Sequence, residues 1–334
     1  MPDFLVYVLY VLTVGVVVLL SIKLGKYVDV IDSKSSISGA FIGGVMLAAV
    51  TSLPELFTSL SAVWVVKQNA LVIGNILGSD LINFAFFGVI LLIFSRGLKK
   101  ARFSKFYYIA LLLCACMYGV VALGLYLSEY IQFTWYSLAS PAILLLYVVY
   151  VMKMPKTSEA GESGSDDGLS LKAAVVRFIV CAVILIGASI AMTYLTDMVA
   201  NMLKLGKTFA GALFLGVATS LPELISSVTL CYRGNFDAAA GNIIGSNVFN
   251  FTILFVADMF SFMPNGSGVY ILNTESKWLL IFGAAAAVTT FFMLFVKNRT
   301  SCSTRSMLGV QTLNAVPPVL YVLFLLLTTG VILV

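Results

Sequence analysis

The stretch A-A-V-T-S-L-P-E at 48–55 is followed at 74–83 by G-N-I-L-G-S-D-L-I-N. The pair returns as G-V-A-T-S-L-P-E at 216–223 and G-N-I-I-G-S-N-V-F-N at 241–250, at nearly the same offset. The chain is therefore a duplication. Each copy carries a glutamate, hydroxyls and asparagines inside very apolar sequence. A charge at membrane depth is expensive and marks a functional site by default. A duplicated pair of apolar segments interrupted by Gly or Pro is also the pattern of a secondary transporter's binding site.

The surrounding composition says membrane. The 334 residues are 60% hydrophobic and 10% charged, where soluble domains average about 25% charged. Stretches of about 20 mostly apolar residues predict ten spanning helices: 4–22, 37–65, 70–94, 105–127, 131–152, 171–195, 206–232, 237–260, 277–297 and 311–333. The N-terminus has no basic segment ahead of its apolar run, so a cleaved signal peptide is not expected. The expected fold is an all-α polytopic membrane protein of two five-helix halves, 1–152 and 171–334. The repeats lie at about 37–94 and 206–260. Residues 153–170, rich in Gly, Ser and acidic residues, read as a cytoplasmic linker; weak calcium binding by its acidic cluster is the alternative.

Basic residues set the orientation. Of the 20 Lys and Arg, only Lys67, Lys204, Lys207 and Lys277 fall in one set of alternating loops. The other set is read as cytoplasmic, in a plasma (inner) membrane, with both termini outside. Five spans per half, an odd number, make the two halves inverted relative to each other. The net charge of +5 follows these loops, and no nucleic-acid signature is present. No protein partner can be inferred; membrane lipid and ions are the expected partners.

Histidine is absent, which disfavours a transition-metal site. The five cysteines (Cys114, Cys116, Cys181, Cys231 and Cys302) form no CxxC pair and read as packing residues. Without histidine, and with Ser and Glu mirrored, no nucleophile–base pair can be built. No enzyme and no cofactor are expected.

The motif chemistry suits hard cations. Proline lacks an N–H and clashes four residues back, so Pro54 and Pro222 should release carbonyls around Thr51 and Thr219. With Ser52, Ser220 and the carboxylates of Glu55 and Glu223, these are oxygen ligands of the kind Ca²⁺ and Na⁺ prefer. Ser52 and Ser220 also stand in capping-box spacing to the glutamates, so a helix-capping role is the bland alternative. Asn75, Ser79 and Asn83 recur every four residues and share one helical face; Asn242, Ser246 and Asn250 repeat the stripe. Hydrogen bonding between helices is the plain alternative for such a stripe. Asp80, whose counterpart is Asn247, is either a third carboxylate near the ions, a hydrogen-bonding partner of a neighbouring helix, or protonated.

At these residues the chain resembles the cation/calcium exchanger superfamily, and most closely its compact prokaryotic sodium/calcium exchangers. T-S-L-P-E with G-S-(N/D)-x-x-N, twice, is similar to that family's two alpha repeats. The resemblance implies Na⁺/Ca²⁺ antiport by alternating access. It implies that Glu55, Glu223 and the Thr51 and Thr219 carbonyls ligate Ca²⁺. It also implies that Ser52, Ser79, Ser220 and Ser246 serve Na⁺, with Asn83 and Asn250 lining the centre. The first and sixth spans would be the sliding gate. Three departures stand out. Val50 and Ala218 replace the glycine usual before T-S. Asn250 stands where potassium-dependent relatives, and some sodium/calcium exchangers, carry aspartate; since Asn cannot ionise, potassium independence is expected. The proton-coupled branch, with G-N-x-x-E in its first motif, resembles this chain less. Coupling to H⁺ or K⁺, or another divalent cargo, is the alternative.

Overall fold

The computed structural model describes residues 3–34, 47–130, 139–154, 169–232, 234, 236–265, 268–299 and 304–329. Among them every regular element is a helix. The order is α1 (Asp3–Lys34), α2 (Leu47–Thr51), α3 (Leu53–Ser61), α4 (Ala70–Ile93), α5 (Ser95–Leu98), α6 (Phe106–Tyr130), α7 (Ala139–Lys153), α8 (Leu171–Met202), α9 (Lys207–Ala210), α10 (Val217–Thr219), α11 (Leu221–Tyr232), α12 (Phe236–Asn265), α13 (Thr274–Arg299) and α14 (Thr304–Thr328). Wider π-type turns continue α3 over Ala62–Val66 and join α9 to α10 over Gly211–Gly216.

Seven of these helices are long and apolar enough to cross a bilayer, and the bent run Lys207–Tyr232 makes an eighth. Two shorter apolar helices, Leu53–Val66 and Ala139–Lys153, fall on the predicted second and fifth spans. The second span also includes α2, but its part before residue 47, residues 131–138 of the fifth, and most of the predicted linker lie outside the described residues. So does Cys302; the other four cysteines are free thiols. Hydropathy placed some span ends too early. The first predicted span stops at 22 but α1 runs to Lys34; the sixth stops at 195 but α8 runs to Met202. A helix continues past the apolar run because its ladder remains satisfied while polar side chains reach interfacial water.

Burial is graded from the centre outward. In α4 78% and in α12 72% of the most apolar stretch is buried, against 18% in α1 and 22% in α8. The repeated G-N-x-x-G-S helices are thus the middle of the molecule. Helices α1 and α8 lie along each other at its edge and expose Val11, Leu12 and Leu19, and Ile179, Val180 and Val183. Such an apolar exterior is what lipid requires. Each is 32 residues long, about 48 Å at 1.5 Å per residue. That exceeds a hydrocarbon core of about 30 Å, so both must tilt or emerge from it.

Close approach at the centre depends on glycine. A Cβ on Gly74 would sit 2.9 Å from the Ala212 amide nitrogen and closer still to the Thr208 carbonyl oxygen. A Cβ on Gly216 would sit 2.9 Å from the Ser79 amide nitrogen. Backbone therefore touches backbone where α4 crosses the 207–216 segment, as small residues permit in membrane helix packing.

Candidate cation-binding site

Both T-S-L-P-E motifs break their helix at the serine. In the first, the Ser52 amide donates to the Ala48 carbonyl (3.1 Å) and the Leu56 amide to the Ser52 carbonyl (3.1 Å). The carbonyls of Ala49, Val50 and Thr51 fall in the gap between those bonds. In the second, the Ser220 amide donates to Gly216 (3.2 Å) and the Leu224 amide to Ser220 (3.1 Å), leaving Val217, Ala218 and Thr219 in the gap. The missing proline N–H explains each gap, and the second helix bends by 43° there.

The broken helices bring the two copies together. Thr51 Oγ1 lies 3.3 Å from Ser246 Oγ, and Thr219 Oγ1 lies 3.4 Å from Ser79 Oγ. Each copy's threonine thus meets the other copy's serine. Ser52 Oγ donates to Glu223 Oε1 at 3.3 Å, while Ser220, Thr219 and Ser79 flank Glu55. Ser52 makes no side-chain cap bond. The capping alternative therefore fails for the first copy: its serine reaches across to the other copy's glutamate.

The asparagines of the stripe hydrogen-bond to other helices, the plain alternative for such a stripe. Asn75 Nδ2 donates to the Glu55 carbonyl (3.2 Å), Thr58 Oγ1 (3.0 Å) and Ser59 Oγ (3.0 Å). Asn242 Nδ2 donates to the Glu223 carbonyl (3.3 Å) and Ser227 Oγ (3.1 Å). Further along the stripe, Asn83 Nδ2 donates to Asn247 Oδ1 at 2.9 Å and Asn250 Nδ2 to Asp80 Oδ1 at 3.0 Å. Asn247 Nδ2 also reaches the Asp80 carbonyl, at 3.2 Å. Asp80 is thus a hydrogen-bonding partner of the facing helix. Among the described residues, it and the glutamates do not draw into one cluster of three acids.

What remains is a set of buried oxygens with no partner. Both carboxylate oxygens of Glu55, Glu223 Oε2, Asp80 Oδ2, Ser220 Oγ, Asn83 Oδ1 and Asn250 Oδ1 make no hydrogen bond. All these residues are fully buried. Buried polar atoms are nearly always satisfied, and a bare buried carboxylate is far more costly than a neutral group. Among the described residues no basic side chain is seen to pair with Glu55 or Glu223; the ion pair that is seen joins Lys207 to Asp197 at 2.6 Å. The arrangement offers oxygen ligands and uncompensated negative charge, which suits a hard cation.

Four contributors escaped the sequence reading: Thr58, Ser59 and Ser227, which hold the asparagines, and Asn247. A signal existed for two of them. The repeat runs on past the glutamate, T-S-L-P-E-L-F-T-S against T-S-L-P-E-L-I-S-S, so Ser59 and Ser227 are counterparts.

Helices broken around opposed, unpaired carboxylates define a membrane transporter of cations. The family model described as sodium/calcium exchanger protein matches residues 5–154 and 173–333, and the chain belongs to that family. It is a multi-pass membrane protein of a transporter family, not an enzyme. The inner membrane protein YrbG of Escherichia coli is 28% identical over 233 residues, 64% of this chain and 66% of that protein, just under two thirds of its length. Among solved structures, the H⁺/Ca²⁺ exchanger CAX aligns over 98% of this chain and 89% of its own, at TM-score 0.64 and 14% identity. The sodium-calcium exchanger NCX_Mj aligns over 92% and 97%, at TM-score 0.57 and 19% identity. At such identities the two structures establish the fold alone.

Proposed function

We propose that this protein is a secondary antiporter that exchanges Na⁺ for Ca²⁺ by alternating access across the plasma membrane. Its ten spans form two inverted five-helix halves, with both termini outside. One observation carries the reading: Glu55 and Glu223, from opposite copies, are fully buried and leave three of their four carboxylate oxygens unpartnered. Two carboxylates match the charge of one Ca²⁺. Emptied, they repel each other in a poor dielectric, so return across the membrane requires replacement cations. That requirement is the physical basis of obligatory exchange rather than leak.

The cargo ligands are Glu55 and Glu223 with the Thr51 and Thr219 carbonyls for Ca²⁺, and Ser52, Ser79, Ser220 and Ser246 for Na⁺. Asn83 and Asn250 line the centre, and Asp80, held by Asn250, stands beside it. The family's description supports sodium as the counter-ion, as does the hydroxyl-rich first motif. Radioactive calcium uptake into Na⁺-loaded proteoliposomes, diluted into Na⁺-free medium, tests the reading. Parallel vesicles carry a K⁺ or a pH gradient. Uptake only with outward Na⁺, lost in Glu55→Gln, is the expected result. Uptake driven by pH, or only with K⁺, overturns the coupling and keeps the site.

A further inference from the structure

Near the Lys67 end of the second span the protein has a cavity of about 280 Å³. Phe57, Leu60 and Trp64, from α3 and its continuation, line one part of it, Ile186 and Ile190 of α8 another, and Phe260 of α12 completes it. The backbone shapes this hollow. The turns over Ala62–Val66 are π-type; an extra residue per turn re-aims the side chains, and such bulges recur at functional sites. Trp64 and Val65 of that stretch are exposed. The Trp64 ring meets Phe260 edge-on, with 5.2 Å between centroids, and its N–H donates to the Phe260 carbonyl at 3.0 Å. The rim is therefore held in place.

The lining's chemistry narrows the occupant. Among the described lining residues only Ser61 has a hydroxyl, and it already donates to the Phe57 carbonyl at 2.6 Å. The indole N–H is used as well. A water needs about two to four polar partners, and a bare ion is dearer still to bury. This is the reverse of the cation site, where oxygens lack partners. What the surroundings supply is hydrocarbon. The rim is continuous with the apolar exterior of α8, where Ile179, Val180 and Val183 are exposed. Trp64 and Lys67 are residue types that mark a membrane interface, so the cavity begins just below the headgroups. From Trp64 to Phe57 is about 10 Å along the helix, the reach of part of one acyl chain. The volume falls just short of the roughly 300–1,000 Å³ of pockets for drug-sized ligands. A lipid tail is as apolar as Leu, and by filling the hollow it restores dispersion contacts that an open lining would forfeit.

We propose that this cavity binds one acyl chain of a membrane phospholipid, in the leaflet at the Lys67 end, and that the chain holds α8 against the helix of Glu55. Phe57 stands two residues past Glu55, about 200° round the helix, so the chain lies behind the carboxylate, on the helix's far side. Helix α8 packs along α3. Any sliding of one past the other reshapes the cavity between them, so the bound chain sets how readily the edge helix moves. Only this second half rests on the exchange reading above. Under the proposed orientation the leaflet is the outer one.

Two measurements test it. The first uses a phosphatidylcholine with a photoreactive diazirine on its acyl chain, in vesicles holding the wild-type protein. Crosslinks should fall on Phe57, Leu60, Ile186 and Ile190, which are half-buried, more heavily than on Leu112, which is exposed. They should be lost in Ile190→Phe, which fills the cavity; Leu60→Phe is the second filling variant if the first does not purify. Labelling no heavier than at Leu112, or unchanged by filling, overturns the site. Labelling by a fatty acid with the same diazirine, but not by the phospholipid, overturns the phospholipid as occupant. The second measurement compares calcium exchange in saturated and cis-unsaturated phosphatidylcholine vesicles of matched thickness. The wild-type rate should differ by about threefold between them, because many weak contacts add along one chain, and the filled variant should lose that difference. No difference in wild type, or an equal one in the variant, overturns the chain's hold on α8. Wild type that exchanges no cation counts against the antiporter, whereas failed crosslinking counts against the cavity alone.

Discussion

At the scale of single residues, the site is decided by which oxygens are left without hydrogen. Glu55 and Glu223 differ in this respect: Glu223 accepts from Ser52 Oγ, whereas neither Glu55 oxygen has a partner. Losing one partner of a buried charge pair costs about 2–5 kcal/mol. Glu55→Gln should therefore weaken Ca²⁺ binding by about a hundredfold, read by calcium titration, while the protein still inserts and purifies as a monodisperse species. Full calcium affinity in the variant would remove Glu55 from the ligand set. Asp80 makes a separate case. Its Oδ1 accepts from Asn250, and an amide oxygen could accept the same bond. Asp80→Asn should leave thermal stability within about 1 kcal/mol and retain Ca²⁺ binding, but shift the Na⁺ concentration for half-maximal exchange. Abolished calcium binding would instead make Asp80 a direct calcium ligand.

At the scale of elements, two features do opposite work. Pro222 keeps a helix broken, and glycines keep helices close. Restoring the missing N–H with Pro222→Ala should rebuild the ladder and remove a defect worth about 3 kcal/mol. The melting temperature should hold or rise while calcium exchange falls, because the freed carbonyls of the gap are drawn back into the helix. Exchange at the wild-type rate would mean those carbonyls do not meet the ion. Gly74→Ala should do the reverse to stability. Its Cβ would meet backbone of the 207–216 segment, which cannot move aside as a flexible side chain would. Overpacking of this kind costs about 1–3 kcal/mol, visible as a lower melting temperature in detergent.

At the scale of the whole molecule, the duplication places its copies face to face, so that each motif completes the other. The orientation proposed from basic loops is tested by cysteine labelling in intact cells. Lys277→Cys should react with a membrane-impermeant thiol reagent and Lys100→Cys only after lysis; both side chains are exposed. The reverse pattern would invert the whole arrangement. Much of this was legible in the sequence. Membrane insertion, the helical class and the polar residues of both repeats follow from local rules: burial of apolar length, the geometry of proline, and the period of a helix. Those rules act within about 20 residues and need no partner. Other facts were not legible, because they are relations between distant segments. Nothing local says that Ser52 would abandon a cap in its own turn to reach Glu223, or that Asn247 would bridge Asn83 and Asp80. The sequence by itself determined which oxygens exist and at what depth. Only the packing of one copy against the other decided which of those oxygens found a hydrogen and which were left to a cation.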